Sequence, residues 1–142
     1  MKFYIATDHA GFAIKEDVKE IVKNMGHEII DLGTNSPDRV DYPDFAHKLS
    51  EKVLEDSGSF GILICGTGIG MSLAANKHKG IRAALCHDAY TAEMARKHND
   101  ANVLCFGQRV VGLGVAESII KAWCESEFEG GRHATRVEKI EL

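Results

Sequence analysis

No apolar run in this sequence approaches the length of a membrane-spanning helix. The opening "MKFYIATDHAGF" lacks the long apolar segment and small-residue cleavage site of a signal peptide. The expected location is therefore the cytoplasm. No CxxC pair occurs. Cys65, Cys86, Cys105 and Cys124 stand about twenty residues apart, so a reduced compartment is the simpler reading. A zinc site built from these cysteines with His87 or His98 would fit no closed zinc spacing. The formal net charge of -4 weighs against a nucleic-acid or anionic-membrane surface. Internal repeats, linkers and low-complexity segments are also missing.

What is present is a chain of 142 residues, the size of one domain. At 44% hydrophobic it can bury a core without disulfides. Short β-rich runs fall at Lys2–Ala6, Glu28–Leu32, Gly61–Cys65, Ile81–Cys86 and Val103–Phe106. Between them lie amphipathic stretches. Ile14, Val18, Ile21, Val22 and Met25 give a helical period over Phe12–Met25, with Gly26 as its stop. Pro43 suits the first turn of a second helix, whose buried stripe is Phe45, Ala46, Leu49 and Val53. Met71–Lys77 and Ala89–His98 read as the third and fourth helices. Leu113, Ala116, Ile119, Ile120 and Trp123 mark a fifth, and the tail ends in one more short helix. Nearly all-apolar strands separated by helices predict a doubly wound α/β domain, a parallel sheet covered on both faces.

Ligands in such folds sit beyond the carboxyl ends of the strands. That rule selects Thr7 to His9, Cys65 to Gly70, Cys86 to Asp88 and Gly107 to Arg109. The alternating glycines Gly66, Gly68 and Gly70 let amides converge on a phosphate or oxyanion, or simply make a tight strand-to-helix turn. They lack the remaining dinucleotide-binding context, which belongs after the first strand. Cys65 stands where a helix N-terminus could lower a thiol pKa from about 8.5, but it could equally be a small buried hydrophobe. Asp8 could cap a helix, or Asp8 and His9 could face a ligand. His98 and Asn99 end a helix, where an imidazole either meets the negative terminus or moves protons. Arg132 and Arg136, one helical turn apart with His133 beside them, can converge on one phosphate. The alternative is a solvated basic face paired with Glu138 or Glu141.

The motifs "TDHAGF", "DYPDFA", "CGTGIGMS", "HND", "GQRVVG" and "EGGRH", with a following arginine, occur in this order along almost the whole chain. Together they closely resemble the ribose/galactose isomerase family. The resemblance implies a three-layer α/β/α sandwich, a Rossmann-like sheet of five parallel strands in the order 2-1-3-5-4. It implies interconversion of D-ribose 5-phosphate and D-ribulose 5-phosphate through an enediol, with no metal or organic cofactor. It also implies a homodimer or dimer of dimers whose sites cross a subunit boundary, with residues from about 130 to 142 serving as a phosphate-binding tail.

Carried onto matching positions, Cys65 is the base that shuttles a proton between C2 and C1. Thr67 polarises the reacting oxygens, and the backbone of Gly66, Gly68, Ile69 and Gly70 stabilises the enediolate. His98 assists ring opening, Asp8 contacts the sugar oxygens, and Asn99 contacts the ligand near the anion hole. His9, Arg109, Arg132 and Arg136 hold the phosphate or adjacent hydroxyls. Some members use a glutamate just after the glycine loop as base; Met71 stands there in this sequence, which favours the cysteine. A six-carbon aldose phosphate is the alternative substrate. A noncatalytic phosphosugar-binding module would not need Cys65 and His98 together. A thiol redox protein would need the missing CxxC.

Overall fold

The computed structural model describes residues 1–142. Five strands, β1 (Lys2–Thr7), β2 (Glu28–Asp31), β3 (Phe60–Cys65), β4 (Ala83–Leu85) and β5 (Val103–Gly107), form one sheet. Every pairing is parallel and the order is β2-β1-β3-β5-β4. Six helices complete the chain: α1 (Phe12–Asn24), α2 (Tyr42–Glu55), α3 (Ile69–Ala75), α4 (Ala89–Asn99), α5 (Leu113–Cys124) and α6 (Arg132–Glu138).

The two-residue period of the strands sorts the core into two clusters. Phe3, Ile5, Ile62, Ile64, Leu104 and Phe106 pack against α1, α4 and α5. Tyr4, Ala6, Leu63, Cys65, Val103 and Cys105 pack against α2 and α3. This is the three-layer α/β/α sandwich, in the expected strand order. β2 and β3 flank β1 on opposite sides, so the crossover direction reverses at β1 and β3. A crevice opens at such a reversal, beyond the carboxyl ends of the strands.

Two elements differ from the sequence expectation. The fourth strand was expected over Ile81–Cys86 but spans only Ala83–Leu85. It is an edge strand with one partner, and flanking backbone groups go elsewhere: the Ile81 N–H donates to His78, and that of Arg82 to the Asn102 side chain. The third helix runs Ile69–Ala75 rather than Met71–Lys77. It starts early because Gly68, at φ 79°, turns the chain into it at once. It stops early because Asn76 turns its side-chain amide onto the backbone of Ala83. The fifth helix begins at Leu113, as expected; Leu113 itself lies at the surface, and Ala116, Ile119, Ile120 and Trp123 are buried.

Candidate active site

A cleft of about 450 Å³ lies at the predicted crevice. Its wall includes Asp8 and His9 from the end of β1, Cys65 to Thr67, Ile69 and Gly70 from the glycine loop, and Arg109 after β5. Leu73, Ala10 and Tyr42 complete it. Tyr42 was not singled out from sequence; it lies within "DYPDFA" but far along the chain from the glycine loop.

Cys65 ends β3 with its side chain on the α2–α3 face, 5% exposed. The Gly68 N–H donates to its Sγ at 3.1 Å. That donor fixes the direction in which the sulfur points. The other cysteines are in a different position. Burial pushes Cys86 and Cys124 up to about 11, and Cys105 well above the ordinary thiol value. None of the three lines this cleft.

The loop after Cys65 is shaped by close approach. A Cβ on Gly107 would lie 2.4 Å from the Thr67 Cα, and one on Gly68 would lie 2.7 Å from the Phe106 backbone. The carbonyls of Cys65 and Gly66 accept from Gln108 N–H and Arg109 N–H at 2.9 and 3.0 Å. The loop therefore points its carbonyls toward the β5–α5 turn. The Gly68 amide serves the sulfur, and the Ile69 amide donates to Thr67 Oγ1 at 3.2 Å. The amides of Gly66, Thr67 and Gly70 have no acceptor within the chain, which leaves them available to a ligand oxygen. Thr67 also keeps its hydroxyl hydrogen free to donate.

Asp8 combines both readings weighed from sequence. Its Oδ1 accepts from the Ala10 and Gly11 amides at 2.9 and 3.1 Å, which fixes the turn before α1. Its Oδ2 makes no hydrogen bond within the chain. The Val40 N–H donates to His9 Nδ1 at 3.2 Å. A neutral His9 must then carry its hydrogen on Nε2, as a donor. Arg109 lies against Gly66, where a Cβ would meet its guanidinium at 3.3 Å, and pairs with no carboxylate.

The remaining predicted residues, His98, Asn99, Arg132 and Arg136, do not line this cleft. They form a second group where α4 ends and α6 begins. Arg82 Nε donates to the carbonyls of Asn99 and Asp100, and Arg82 and Arg96 both pair with the Asp100 carboxylate. His98 Nε2 lies 3.3 Å from Glu129 Oε1. Its ring stacks on that of His133 with centroids 4.2 Å apart. Burial pushes the His133 imidazole below its ordinary value, and His98 and Arg132 add to that. Arg132 and Arg136 are exposed and pair with neither Glu138 nor Glu141; Glu141 instead faces Arg82 at 3.8 Å. Sequence reasoning gave no role to Glu129, although it opens "EGGRH". A larger cavity, about 760 Å³, follows the open edge of β4. It contains Asn99 but none of the other predicted site residues, most of which line the smaller cleft.

The profile of the family described as Ribose/Galactose Isomerase matches residues 3–140. The chain belongs to this family. The ribose-5-phosphate isomerase B of Escherichia coli is 48% identical over 139 residues, covering 98% of this chain and 93% of that protein. The ribose-5-P isomerase B of Listeria innocua is 42% identical, covering 99% of this chain and 95% of that one. Among solved structures, Clostridium thermocellum ribose-5-phosphate isomerase B superposes with a TM-score of 0.96 at 52% identity, covering 99% of this chain and 95% of that chain. The type B enzyme of Trypanosoma brucei gives 0.95 at 48% identity, with 98% and 95% covered. Family membership thus agrees with the fold and with the cleft at its switch point.

Proposed function

We propose that this protein is an aldose–ketose isomerase that interconverts D-ribose 5-phosphate and D-ribulose 5-phosphate through an enediolate. The observation that carries the proposal is the buried Cys65 thiol, held by the Gly68 amide and facing a cleft with a carboxylate, an imidazole and an unpaired guanidinium. Cys65 takes a proton from C2 of the open-chain sugar and returns it to C1. The charge that develops on the oxygens falls to Thr67 and to the free amides of Gly66 and Gly70, together with the backbone of Gly68 and Ile69. Asp8 Oδ2 accepts from a sugar hydroxyl.

His98 opens the furanose ring, Asn99 contacts the ligand, and Arg132 and Arg136 join His9 and Arg109 in holding phosphate. Binding the phosphate orients the reacting end. Because the two groups of residues lie on different parts of one chain, each complete site takes its second group from a neighbouring copy. The protein then acts in the cytoplasm as a single-domain chain in a homodimer or dimer of dimers, with residues from about 130 to 142 as its phosphate-binding tail.

A proton NMR time course in D2O, with ribose 5-phosphate and a chelator, tests the reaction. Ribulose 5-phosphate carrying deuterium at the exchanging carbon is the expected product. No conversion by folded protein removes ribose 5-phosphate as substrate and sends the search to six-carbon aldose phosphates.

The composite site makes a separate prediction. Cys65→Ala and His98→Ala are each expected to be inactive alone. Unfolded together and refolded as a mixture, they should recover about a quarter of wild-type activity: half the dimers are hybrids, and each hybrid has one intact site of two. A mixture as inactive as its parents shows that the groups work within one chain.

A further inference from the structure

We propose that His98, Glu129 and His133 form a binding site for a divalent transition-metal ion of the zinc class, and that its occupation inhibits the isomerase. The binding half stands on this cluster alone; the inhibition half rests on the role of His98 proposed above.

One ligand atom from each residue lies within 4.8 Å of the other two. The carboxylate-to-imidazole separations are 3.3 Å to His98 and 3.7 Å to His133. Two donors each about 2.1 Å from a tetrahedral ion stand roughly 3.4 Å apart, so both separations are near those of a filled site. The ligand set also selects the metal. Two imidazoles and one carboxylate suit zinc and its neighbours, whereas calcium and magnesium require oxygen donors. Three protein ligands leave a fourth position for water.

The backbone holds the three residues together. The Glu129 N–H donates to the Lys97 carbonyl at 3.0 Å, which fastens the loop before α6 to the last turn of α4. The His133 N–H donates to Gly130 at 3.0 Å and closes the turn that carries the second imidazole. His133 is 9% exposed and its neighbours fix its position. His98 is 40% exposed and can turn. That freedom matters because the two rings lie nearly parallel, at 12°, and their lone pairs cannot meet at one point without rotation of one ring. Turning His98 toward an ion takes its Nε2 away from a sugar, which is how occupation would block ring opening. The adjacent Arg132 opposes a cation and so weakens its binding.

The other histidine pair is a weaker competitor. His47 Nδ1 and His78 Nε2 are 2.7 Å apart, but no carboxylate or thiol joins them as a third ligand.

The test is calorimetric titration of the full, metal-free chain with zinc, repeated with cobalt to read the visible absorption of a tetrahedral ion. One ion per chain is expected. Glu129→Gln and His133→Ala should each weaken binding at least tenfold, while His78→Ala should not. His98→Ala, a change at a half-exposed position, repeats the test if His133→Ala fails to fold. Zinc should inhibit wild-type isomerisation and a chelator should restore it. Binding that survives Glu129→Gln and His98→Ala but disappears in Cys65→Ala assigns the ion to the thiol and overturns the proposal. So does the absence of one-to-one binding to wild type. Binding without inhibition overturns the second half alone. An inactive wild type that still binds zinc through these residues defeats the assigned reaction and leaves the metal site standing.

Discussion

Cys65→Ala should lower kcat by roughly 10²- to 10⁴-fold, the usual cost of removing a positioned general base. The change is small in volume and sits in the smaller core cluster. It removes a sulfur and leaves the Gly68 amide without its acceptor. Each effect costs about 1 kcal/mol, so the variant should fold and melt cooperatively. Cys65→Ser should be nearly as inactive, because a hydroxyl keeps the donor contact but ionises far less readily. Cys124→Ala serves as the contrast. That thiol is pushed up to about 11 by burial and lies outside the cleft, so its removal should leave kcat within threefold. Initial rates of ribulose 5-phosphate formation, read beside thermal melts, check all three. A Cys65→Ala enzyme within threefold of wild type would take the thiol out of the chemistry.

The reason Cys65 differs from Cys86 and Cys105 was only partly legible in the sequence. Cys65 and Cys86 end apolar runs and Cys105 lies one residue inside its own, in the middle of β5, so position alone did not separate them. The separation comes from β3 lying at the switch point and from a backbone donor two peptides beyond the loop's first glycine. The layering followed from apolar runs and helical periods, whereas the strand order came only with the family resemblance carried by the ordered motifs. Boundaries failed where side chains competed for backbone groups, as Asn76 and Asn102 do around β4. Strand-end candidates were legible because every parallel strand delivers its carboxyl end to the same rim.

The separation of His98 and the arginines from that rim was not legible from local pattern, because it depends on where α4 and α6 stop in space. Glu129 was missed for a related reason. Its partners His98 and His133 come from two helices, and no helical spacing joins all three. Asp8 showed a different limit: one carboxylate can cap a turn with one oxygen and offer the other to a ligand.

Asp31→Ala should destabilise the fold by about 3–5 kcal/mol, because it strands a buried ammonium. The Lys15 side chain is 2% exposed, and its Nζ lies 3.1 Å from Asp31 Oδ1. It also donates to the Thr34 carbonyl and lies over the Phe12 ring. Lys19 donates to Oδ2 at 3.1 Å, and Gly33 N–H donates to Oδ1 at 2.8 Å. Without Asp31, Lys15 keeps one carbonyl and an aromatic face, and Tm should fall by about 10 °C or more. The damage should reach the site. Gly33 and Thr34 exchange hydrogen bonds with Thr7 at 2.8 and 3.0 Å, and Thr7 precedes Asp8.

The same carboxylate should make stability depend on acid. Desolvation pushes Asp31 up, but the Gly33 amide, Lys19 and Lys15 together outweigh it and hold it below the ordinary 3.8. A folded value below the unfolded one contributes stability fully above the unfolded value. That contribution is lost as pH falls through the folded value. Urea midpoints of wild type and Asp31→Asn should therefore differ by a constant amount at neutral pH and converge below about pH 4. A gap that persists unchanged into stronger acid would mean that Asp31 acts through its shape and hydrogen bonds, and that its charge contributes nothing to holding Lys15.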